Sequence, residues 1–562
     1  MDNIRFLLVV AFAMISYMLW EEWQLDYGPK PEEVVSDKPI VIDSSEDLPF
    51  GIVSGPKKVE AVPVLAVPVG KLITVKTDVF SVEIDVMGGT LRNLDLLKHP
   101  HEKENTTVNK MYALVGMDAP EKDLSPIRLF DGSPEKLFLA QSGLIASSGS
   151  SIAPDHHAVF SSQKDSYELV VGEDELSIPL VWTNHEGLVV TKTYTFTRGV
   201  YNIRVDQNVS NNSSKAWSGR QYTQLLRVPY EDDKGNTFIR TYAGGVVYTE
   251  AEKYQKVDFE DMAAENLSID TVGGWSAMTQ HYFASAWIPP AEQENHFYTK
   301  ELKDWRYVIG SYSPAYDVAV NTDMTFTSHL FSGPKVQPIM EQVAPGLELT
   351  VDYGWLTVIG KPIYWLLNRI HDYVGNWGWS ILGVTLCIKL LFFKLSQASY
   401  RSMARMRKIQ PRLKEMQEKY ADDRQRFNTE MMAMYKKEKV NPLGGCLPIM
   451  VQIPVFISLY WVLIETVELR QAPFALWIQD LSAQDPYFIL PVIMGITMKI
   501  QQSLNPAPID PLQAKVMKMF PIIFTVFFLF FPAGLVLYWV CNNTLSIIQQ
   551  WYITKQIEAD NS

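Results

Sequence analysis

The distribution of apolar residues along the 562-residue chain constrains its fold more than any other feature. The last third carries long apolar runs separated by polar segments, as expected for a polytopic α-helical membrane domain. We predict spans at about 379–397, 447–465, 486–502, 516–531 and 533–553. Several runs are shorter than the ~20 residues that a ~30 Å hydrocarbon core prefers, which implies restricted tilt or local thinning of the bilayer.

The chain also begins with an apolar run, at residues 6–20, behind a short charged segment. The run ends in Leu19, Trp20 and Glu21, without the small residues of a signal-peptide cleavage site. We therefore predict an uncleaved anchor at 1–23. Arg5 before the run places the amino terminus in the cytoplasm, and six spans return the carboxyl terminus there.

A long polar region separates the anchor from the apolar runs. Residues 24–71 are rich in proline and predict a linker. From 72 to 346, alternating patterns such as Phe80, Val82 and Ile84 with polar neighbours indicate antiparallel strands with one face buried. The sequence predicts one large all-β sandwich outside the membrane, acting as a docking or spacer domain.

Composition and motifs argue against enzymatic chemistry. The formal net charge of −13 disfavours generic nucleic-acid binding, and the three cysteines all lie in the last third, so no disulfide framework supports the polar region. The sequence contains no zinc spacing, P-loop or nucleophile-elbow pattern. We predict a protein that is not an enzyme and needs no cofactor or metal.

Residues 352–376 mix aromatic and charged residues and are too polar to span a membrane. Trp355, Ile359 and Ile363 follow helical spacing, which indicates an amphipathic helix lying in the outer interface. Residues 377–562 then form the predicted five-helix membrane core.

The segment 401–440 carries twelve Lys or Arg residues, among them Arg405 and Arg407, against six acidic residues. This excess places the segment in the cytoplasm by the positive-inside rule. The charges are either a solvated face or a surface for anionic lipid or ribosomal RNA.

The same segment has the pattern of a helical hairpin. Ile409 and Leu413 lie at the spacing of a helix–helix seam, and Pro411 is placed to begin a fresh helix. Asp422 or Asp423 is placed to cap a second helix.

Lys389 lies near the middle of the first apolar run of the core. A lysine at the centre of a span costs roughly 2.5–3.5 kcal/mol, so it either snorkels to a surface or has a use. Thr385 lies one turn earlier on the same face. Other polar side chains interrupt the second and the last run of the core, namely Gln452, Tyr538, Asn542, Ser546 and Gln549.

Two polar stripes on different apolar helices are costly unless they face each other or share water. We therefore predict a hydrophilic cavity in the inner leaflet, with Lys389 as its fixed positive charge and Thr385, Gln452, Asn542, Ser546 and Gln549 as its lining. The alternative is a snorkelling lysine beside ordinary polar contacts between helices.

Long strings in the sequence resemble one known family. "VDYGWL", "VGNWGWS", "EKVNPLGGCLP" and "FFPAGLVLYWV" are similar to strings of the YidC membrane protein insertases, in their Gram-negative form with a large periplasmic domain. The resemblance covers essentially the whole chain and is densest after Asp352.

This resemblance implies a bacterial inner-membrane protein that inserts and folds nascent membrane proteins, alone or with the Sec translocon and its accessory subunits. It implies a periplasmic β-supersandwich and a groove open to cytoplasm and lipid, with Lys389 and Thr385 at the groove positions. The implied substrate-contacting residues are Ile453, Pro454, Tyr538 and Trp539.

Two departures from the family pattern affect these expectations. The groove cation is lysine where arginine is usual, which replaces a bidentate fork by a point charge. The carboxyl-terminal tail is short, with Lys555 as its cation. Any docking of the ribosome or of the signal-recognition receptor would therefore use the basic hairpin. Membrane lipids are further expected partners.

Two other functions are compatible with the sequence. Lys389 would bind the substrate of an anion transporter, although no inverted repeat accompanies it. A membrane-anchored periplasmic chaperone would use the spans only as an anchor.

Overall fold

The computed structural model describes residues 47–49, 69–103, 109, 122–229, 242–420, 423–438, 447–505 and 511–559. The predicted anchor at 1–23, most of the linker at 24–71, and Asp422 lie outside these residues. The residues from Pro68 onward form one compact unit.

The polar region folds into two large, mostly antiparallel sheets. Their strands are β1 (Leu72–Lys76), β2 (Phe80–Asp85), β3 (Thr90–Pro100), β4 (Pro126–Phe130), β5 (Phe138–Ala146), β6 (Ser161–Ser162), β7 (Ser166–Glu168), β8 (Glu175–Thr183), β9 (Leu188–Thr197), β10 (Asn202–Asn211), β11 (Trp217–Arg227), β12 (Gly244–Thr249), β13 (Lys253–Val257), β14 (Ser268–Val272), β15 (Trp275–Thr279), β16 (Phe283–Ile288), β17 (Glu294–Leu302), β18 (Arg306–Tyr312), β19 (Tyr316–Val318) and β20 (Thr322–Pro334).

One sheet runs in the order β14-β17-β18-β11-β5-β3-β2-β1-β7, with β19 paired to β11 and β4 paired to β3. The other runs in the order β13-β12-β15-β16-β20-β10-β9-β8-β6. Both sheets contribute to one apolar core, in which Val82 and Ile84 of β2 meet the same cluster as Tyr194 and Phe196 of β9. The alternating pattern in the sequence therefore predicted correctly which face of these strands is buried. The predicted large all-β domain is confirmed.

The α-helices of the described residues are α1 (Phe259–Ala264), α2 (Gln337–Val343), α3 (Thr357–Val374), α4 (Trp377–Leu391), α5 (Phe393–Lys419), α6 (Arg424–Lys437), α7 (Leu447–Glu465), α8 (Ile489–Leu504), α9 (Pro511–Phe527) and α10 (Ala533–Ala559). The first two belong to the all-β region and the others follow it. A second apolar core joins α3, α4, α7, α8 and α10.

The first predicted span of the core is not one straight helix. It is interrupted at Phe392, where α4 and α5 meet at 67°. By length and apolarity, none of the helices in the described ranges qualifies alone as a membrane span, whereas α4 and α5 qualify as a bent pair. The count of six spans remains a prediction.

The prediction that a new helix begins at Pro411 is wrong, because α5 continues through that residue. Ile409 and Leu413, on either side of the proline, are buried in one apolar cluster with Tyr435 of α6. These contacts hold the helix through the position where proline removes a backbone donor. Asp423 caps α6 by accepting a hydrogen bond from the Arg426 amide at 3.0 Å.

The loop between α7 and α8, here called the outer loop (residues 466–488), binds the first turns of α4 and α10. The Asn376 side chain caps α4 and donates hydrogen bonds of 3.1 and 3.0 Å to the carbonyls of Pro473 and Phe474. The Gly534 amide of α10 donates to the Leu481 carbonyl at 2.8 Å. The outer loop therefore fixes the relative position of the two helices that carry the candidate site.

Candidate functional site

Lys389 lies in the last turn of α4, directly before the bend at Phe392. The sequence placed it near the middle of an unbroken span, and the bend changes that setting. At the end of a helix the carbonyl groups of the final turn carry partial negative charge, which favours a cation by typically ~0.3–1 kcal/mol. The break in the helix therefore lowers the cost of placing a lysine in this apolar surrounding.

The Lys389 ammonium contacts α10. Its Nζ donates a hydrogen bond of 2.8 Å to Oγ of Ser546, whose hydroxyl donates in turn to the Asn542 carbonyl at 2.8 Å. Lys389 is only 9% exposed and Ser546 3%. The hydroxyl accepts a bond from the ammonium but carries no negative charge, and among the described residues no carboxylate forms an ion pair with Lys389.

The polar side chains of α10 continue from Ser546 to Gln549, towards the bend between α4 and α5. The Gln549 side chain donates a hydrogen bond of 3.3 Å to the carbonyl of Phe393, the first residue of α5. On α4, the buried Thr385 hydroxyl donates to the Ile381 carbonyl at 2.7 Å and interacts with the thiol of Cys541. The structure thus brings together Lys389, Thr385, Ser546 and Gln549 around the junction of three helices.

Gln452 is not part of this hydrogen-bonded group. It lies half-buried on α7, and among the described residues no hydrogen bond joins it to Lys389. Of the residues implied to contact substrate, Ile453 is 47% exposed on α7, and Pro454 lies inside that helix. Ile453 therefore presents an accessible apolar side chain.

Tyr538 and Trp539 of α10 face α7 through one aromatic residue. The Phe456 ring stacks on Tyr538 at 5.8 Å and meets Trp539 edge-on at 4.7 Å, between ring centroids. Two of the implied substrate-contacting residues are therefore linked to the helix that carries the other two.

A second group of polar side chains on α10 contacts α8 and was not predicted from the sequence. The Asn543 side chain donates to the Thr497 hydroxyl at 3.4 Å, and Gln550 donates to the Leu504 carbonyl at 3.2 Å, both on α8. The doubled amides in "CNNTLSIIQQ" were the available signal, because adjacent residues on a helix point to different neighbours. Ser399 of α5, which is also buried, was not predicted either.

The hairpin residues lie apart from this group. Asp423 caps α6, and Arg405 and Arg407 lie on α5, beyond the bend from Lys389. An ion pair of 3.0 Å joins Arg412 of α5 to Glu438, which directly follows α6.

Two family models match the chain. The YidC periplasmic domain matches residues 72–366, and the 60Kd inner membrane protein family matches residues 369–560. The membrane protein insertase YidC of Methylococcus capsulatus is 53% identical over 564 residues, covering 100% of both chains. The insertase of the same name from Nitrosococcus oceani is 47% identical over 567 residues, again covering 100% of both.

Among solved structures, an active YidC insertase with its first transmembrane domain resolved is similar over 87% of this chain and 94% of its own. The identity is 17% and the TM-score 0.39.

Proposed function

The chain belongs to the family of YidC membrane protein insertases, and from this premise we propose how its residues carry out insertion. As a member of that family it is an inner-membrane protein with nascent membrane proteins as substrates. The proposal rests on one observation, the buried bond between Lys389 and Ser546 at the junction of α4, α5 and α10.

In this proposal, Lys389 is the fixed charge of a hydrophilic groove that opens to the cytoplasm and to lipid. Its ammonium attracts the polar or acidic tail of an incoming segment and lowers the barrier to moving that tail into the membrane. Thr385, Asn542, Ser546 and Gln549 supply hydroxyl and amide groups that keep the groove hydrated, and we keep Gln452 as a further lining residue.

The apolar part of the substrate would move along α7 and α10, against Ile453, Pro454, Tyr538 and Trp539. A segment of ~20 apolar residues gains roughly 10 kcal/mol on entering the bilayer, at ~0.3–0.6 kcal/mol per residue. This gain drives insertion without nucleotide hydrolysis or a cofactor, in keeping with a protein that is not an enzyme.

We further propose the topology and domain limits that the sequence predicts. The anchor at 1–23 and five core spans give six crossings, with both termini in the cytoplasm and the β domain, at 72–346, in the periplasm. The linker (24–71) precedes that domain, and the interfacial helix (352–376) and the core (377–562) follow it.

The part of the α5–α6 hairpin that lies within 401–440 is the proposed contact for cytoplasmic partners. Arg405 and Arg407 are on α5 and Asp423 is the cap of α6, while Asp422 stays a sequence prediction. The excess of positive charge in segment 401–440 suits contact with ribosomal RNA, the signal-recognition receptor or anionic lipid. Cooperation with the Sec translocon and its accessory subunits is proposed from family membership.

Insertion into proteoliposomes that contain only the purified protein tests the central proposal. A small single-span substrate is offered without ATP, and its protection from external protease is scored for wild type, Lys389→Leu and Lys394→Leu. Lys394 is an exposed lysine of α5 and serves as the matched control. We expect wild type and Lys394→Leu to protect the substrate, and Lys389→Leu to insert about tenfold more slowly, equivalent to ~1.4 kcal/mol.

Equal insertion by Lys389→Leu and wild type would reduce Lys389 to a structural residue. Protection no better than with empty liposomes would instead favour the transporter or the anchored chaperone.

A further inference from the structure

The β domain contacts the outer end of α7 through a buried ion pair. Lys335, which directly follows β20, and Glu465, the last residue of α7, lie 3.5 Å apart between Nζ and Oε2. Their side chains are only 3% and 5% exposed. A buried charge that loses its partner is strongly destabilising, so these two residues fix each other's position.

Two further hydrogen bonds surround this pair. The Lys335 ammonium also donates to the Thr350 carbonyl at 3.2 Å, and the His281 ring bonds through Nε2 to the Ile464 carbonyl at 3.1 Å. Burial lowers the pKa of His281 to about 3, so the ring is neutral and its Nε2–H donates to that carbonyl. We call the group Lys335, His281, Ile464 and Glu465 the domain joint.

A second contact meets the chain just beyond α7. The side chains of Arg470 and Gln471 each donate a hydrogen bond of 2.7 Å to the carbonyl of Pro100, which ends β3. Gln471 has a backbone φ of 59°. The β domain therefore holds the outer end of α7 from two of its strands, β20 and β3.

The held end and the substrate-contacting face belong to the same helix. Ile453 precedes Glu465 by twelve residues, which at 1.5 Å per residue is ~18 Å along α7. A tilt of about 10° at the joint would therefore move Ile453 by about 3 Å, a displacement large enough to misplace a contact.

We propose that the domain joint orients α7 for substrate, so that the β domain contributes to insertion by positioning a helix. Lys335 and Glu465 are positioning residues in this proposal, and they do not touch substrate themselves. The inference rests on the proposed function in one respect, namely that Ile453 contacts the inserting segment.

A photo-crosslinking residue at position 453 of the full-length protein in proteoliposomes tests this inference. Crosslinking to a single-span substrate is compared for the Lys335→Met variant and for the double variant Lys335→Met with Glu465→Met. We expect the single variant to crosslink several times less than the parent protein. The double variant removes both charges and keeps the side-chain volume, so it should recover at least half of the yield.

The Lys71→Met variant is the matched control. Lys71 forms an ion pair with Asp165 elsewhere on the β domain, but this pair is far more exposed, at 63% and 67% of the two side chains. The same substitution there should leave the yield at position 453 unchanged. A loss as large as that of Lys335→Met would overturn the inference.

Gln471→Asn provides a test that strands no buried charge. Asparagine tolerates a positive φ but its shorter side chain does not reach Pro100, so the yield at position 453 should again fall. A normal yield in Lys335→Met would overturn the inference whatever the yield in Gln471→Asn, as would a double variant that folds but recovers no yield. Absence of insertion by the wild-type protein would instead contradict the proposed function.

Discussion

The ammonium of Lys389 donates a hydrogen bond of 2.8 Å to the hydroxyl of Ser546, joining the last turn of α4 to α10. The bond fixes where the buried charge lies without neutralising it, because a hydroxyl carries no opposite charge. The charge and its location are therefore separable, and substitutions of each residue test them separately.

Ser546→Ala removes the acceptor and keeps the charge. We expect insertion to slow about fivefold, since a hydrogen bond of this kind contributes ~1 kcal/mol, and thus less than with Lys389→Leu. Ser546→Thr retains a hydroxyl and is the control. Rates in proteoliposomes check this, and equal losses for alanine and threonine would show that the hydroxyl is irrelevant.

Lys389→Arg changes the form of the charge but not its sign. Arginine pairs with carboxylates in a bidentate manner, so substrates with acidic tails should insert at least as fast as with the wild-type protein. Substrates with neutral tails should show no gain. The measurement is the ratio of the two insertion rates, and a loss matching Lys389→Leu would mean that the site cannot hold a guanidinium.

Gly378→Ala should loosen the outer loop from α4. A methyl group at this position would collide with the Phe474 ring, and overpacking of this kind costs about 1–3 kcal/mol. Gly383→Ala, one and a half turns further along α4, is the control because its methyl group would approach Ile370 at a milder 3.1 Å. We expect faster hydrogen exchange in the outer loop for Gly378→Ala, and similar exchange in both variants would contradict this.

Lys192 should make the stability of the β domain depend on pH. Its buried ammonium donates to the carbonyls of Gly88 and Ser142, at 2.7 and 2.8 Å, and burial lowers its pKa from 10.5 to about 7. Between pH 7 and 10.5 the unfolded chain holds a proton that the folded chain has released, so stability rises with pH. The rise is at most about 1.4 kcal/mol per pH unit.

Lys192→Met lacks this titration and is the comparison at each pH. The stability of wild type relative to the variant should increase from pH 7 to pH 9, measured by urea unfolding with pulse proteolysis of the β domain. Parallel curves for the two proteins would show that Lys192 has the same pKa folded and unfolded.

Asp423→Ala should fray the start of α6. The carboxylate accepts a hydrogen bond from the Arg426 amide at 3.0 Å, and loss of such a cap costs typically ~1 kcal/mol. Asp423→Asn retains a capping oxygen and should behave like wild type. Hydrogen exchange of the first turn of α6 measures the effect, and equal exchange in all three proteins would exclude a capping role.

Local patterns predicted the β domain and the pairing of polar rows, because both follow from the periodicity of side chains. The alternation in β2 and β9 states directly which face is buried. Lys389 and Ser546 were both selected because they are polar residues within apolar helices. Placing such side chains in a membrane is costly unless they meet. Their direct contact is the simplest solution to that cost.

The sequence did not predict the bend at Phe392 or the continuation of α5 through Pro411. The segment around Phe392 contains neither glycine nor proline, so local chemistry gives no signal of a break. At Pro411 the local signal is strong, but burial of Ile409 and Leu413 against α6 overrides it. In both places the packing of distant segments decides the backbone path.

The joint between Lys335 and Glu465 has a consequence for biogenesis. The chain is synthesised from its amino terminus, so the β domain and Lys335 emerge well before the helix that ends in Glu465. Until that helix arrives, the Lys335 ammonium can donate to the Thr350 carbonyl and feels the attraction of Asp352, but it lacks the close carboxylate of Glu465. The arrival of Glu465 supplies a carboxylate 3.5 Å from the ammonium, so the domain joint forms only once the segment that ends α7 is in place.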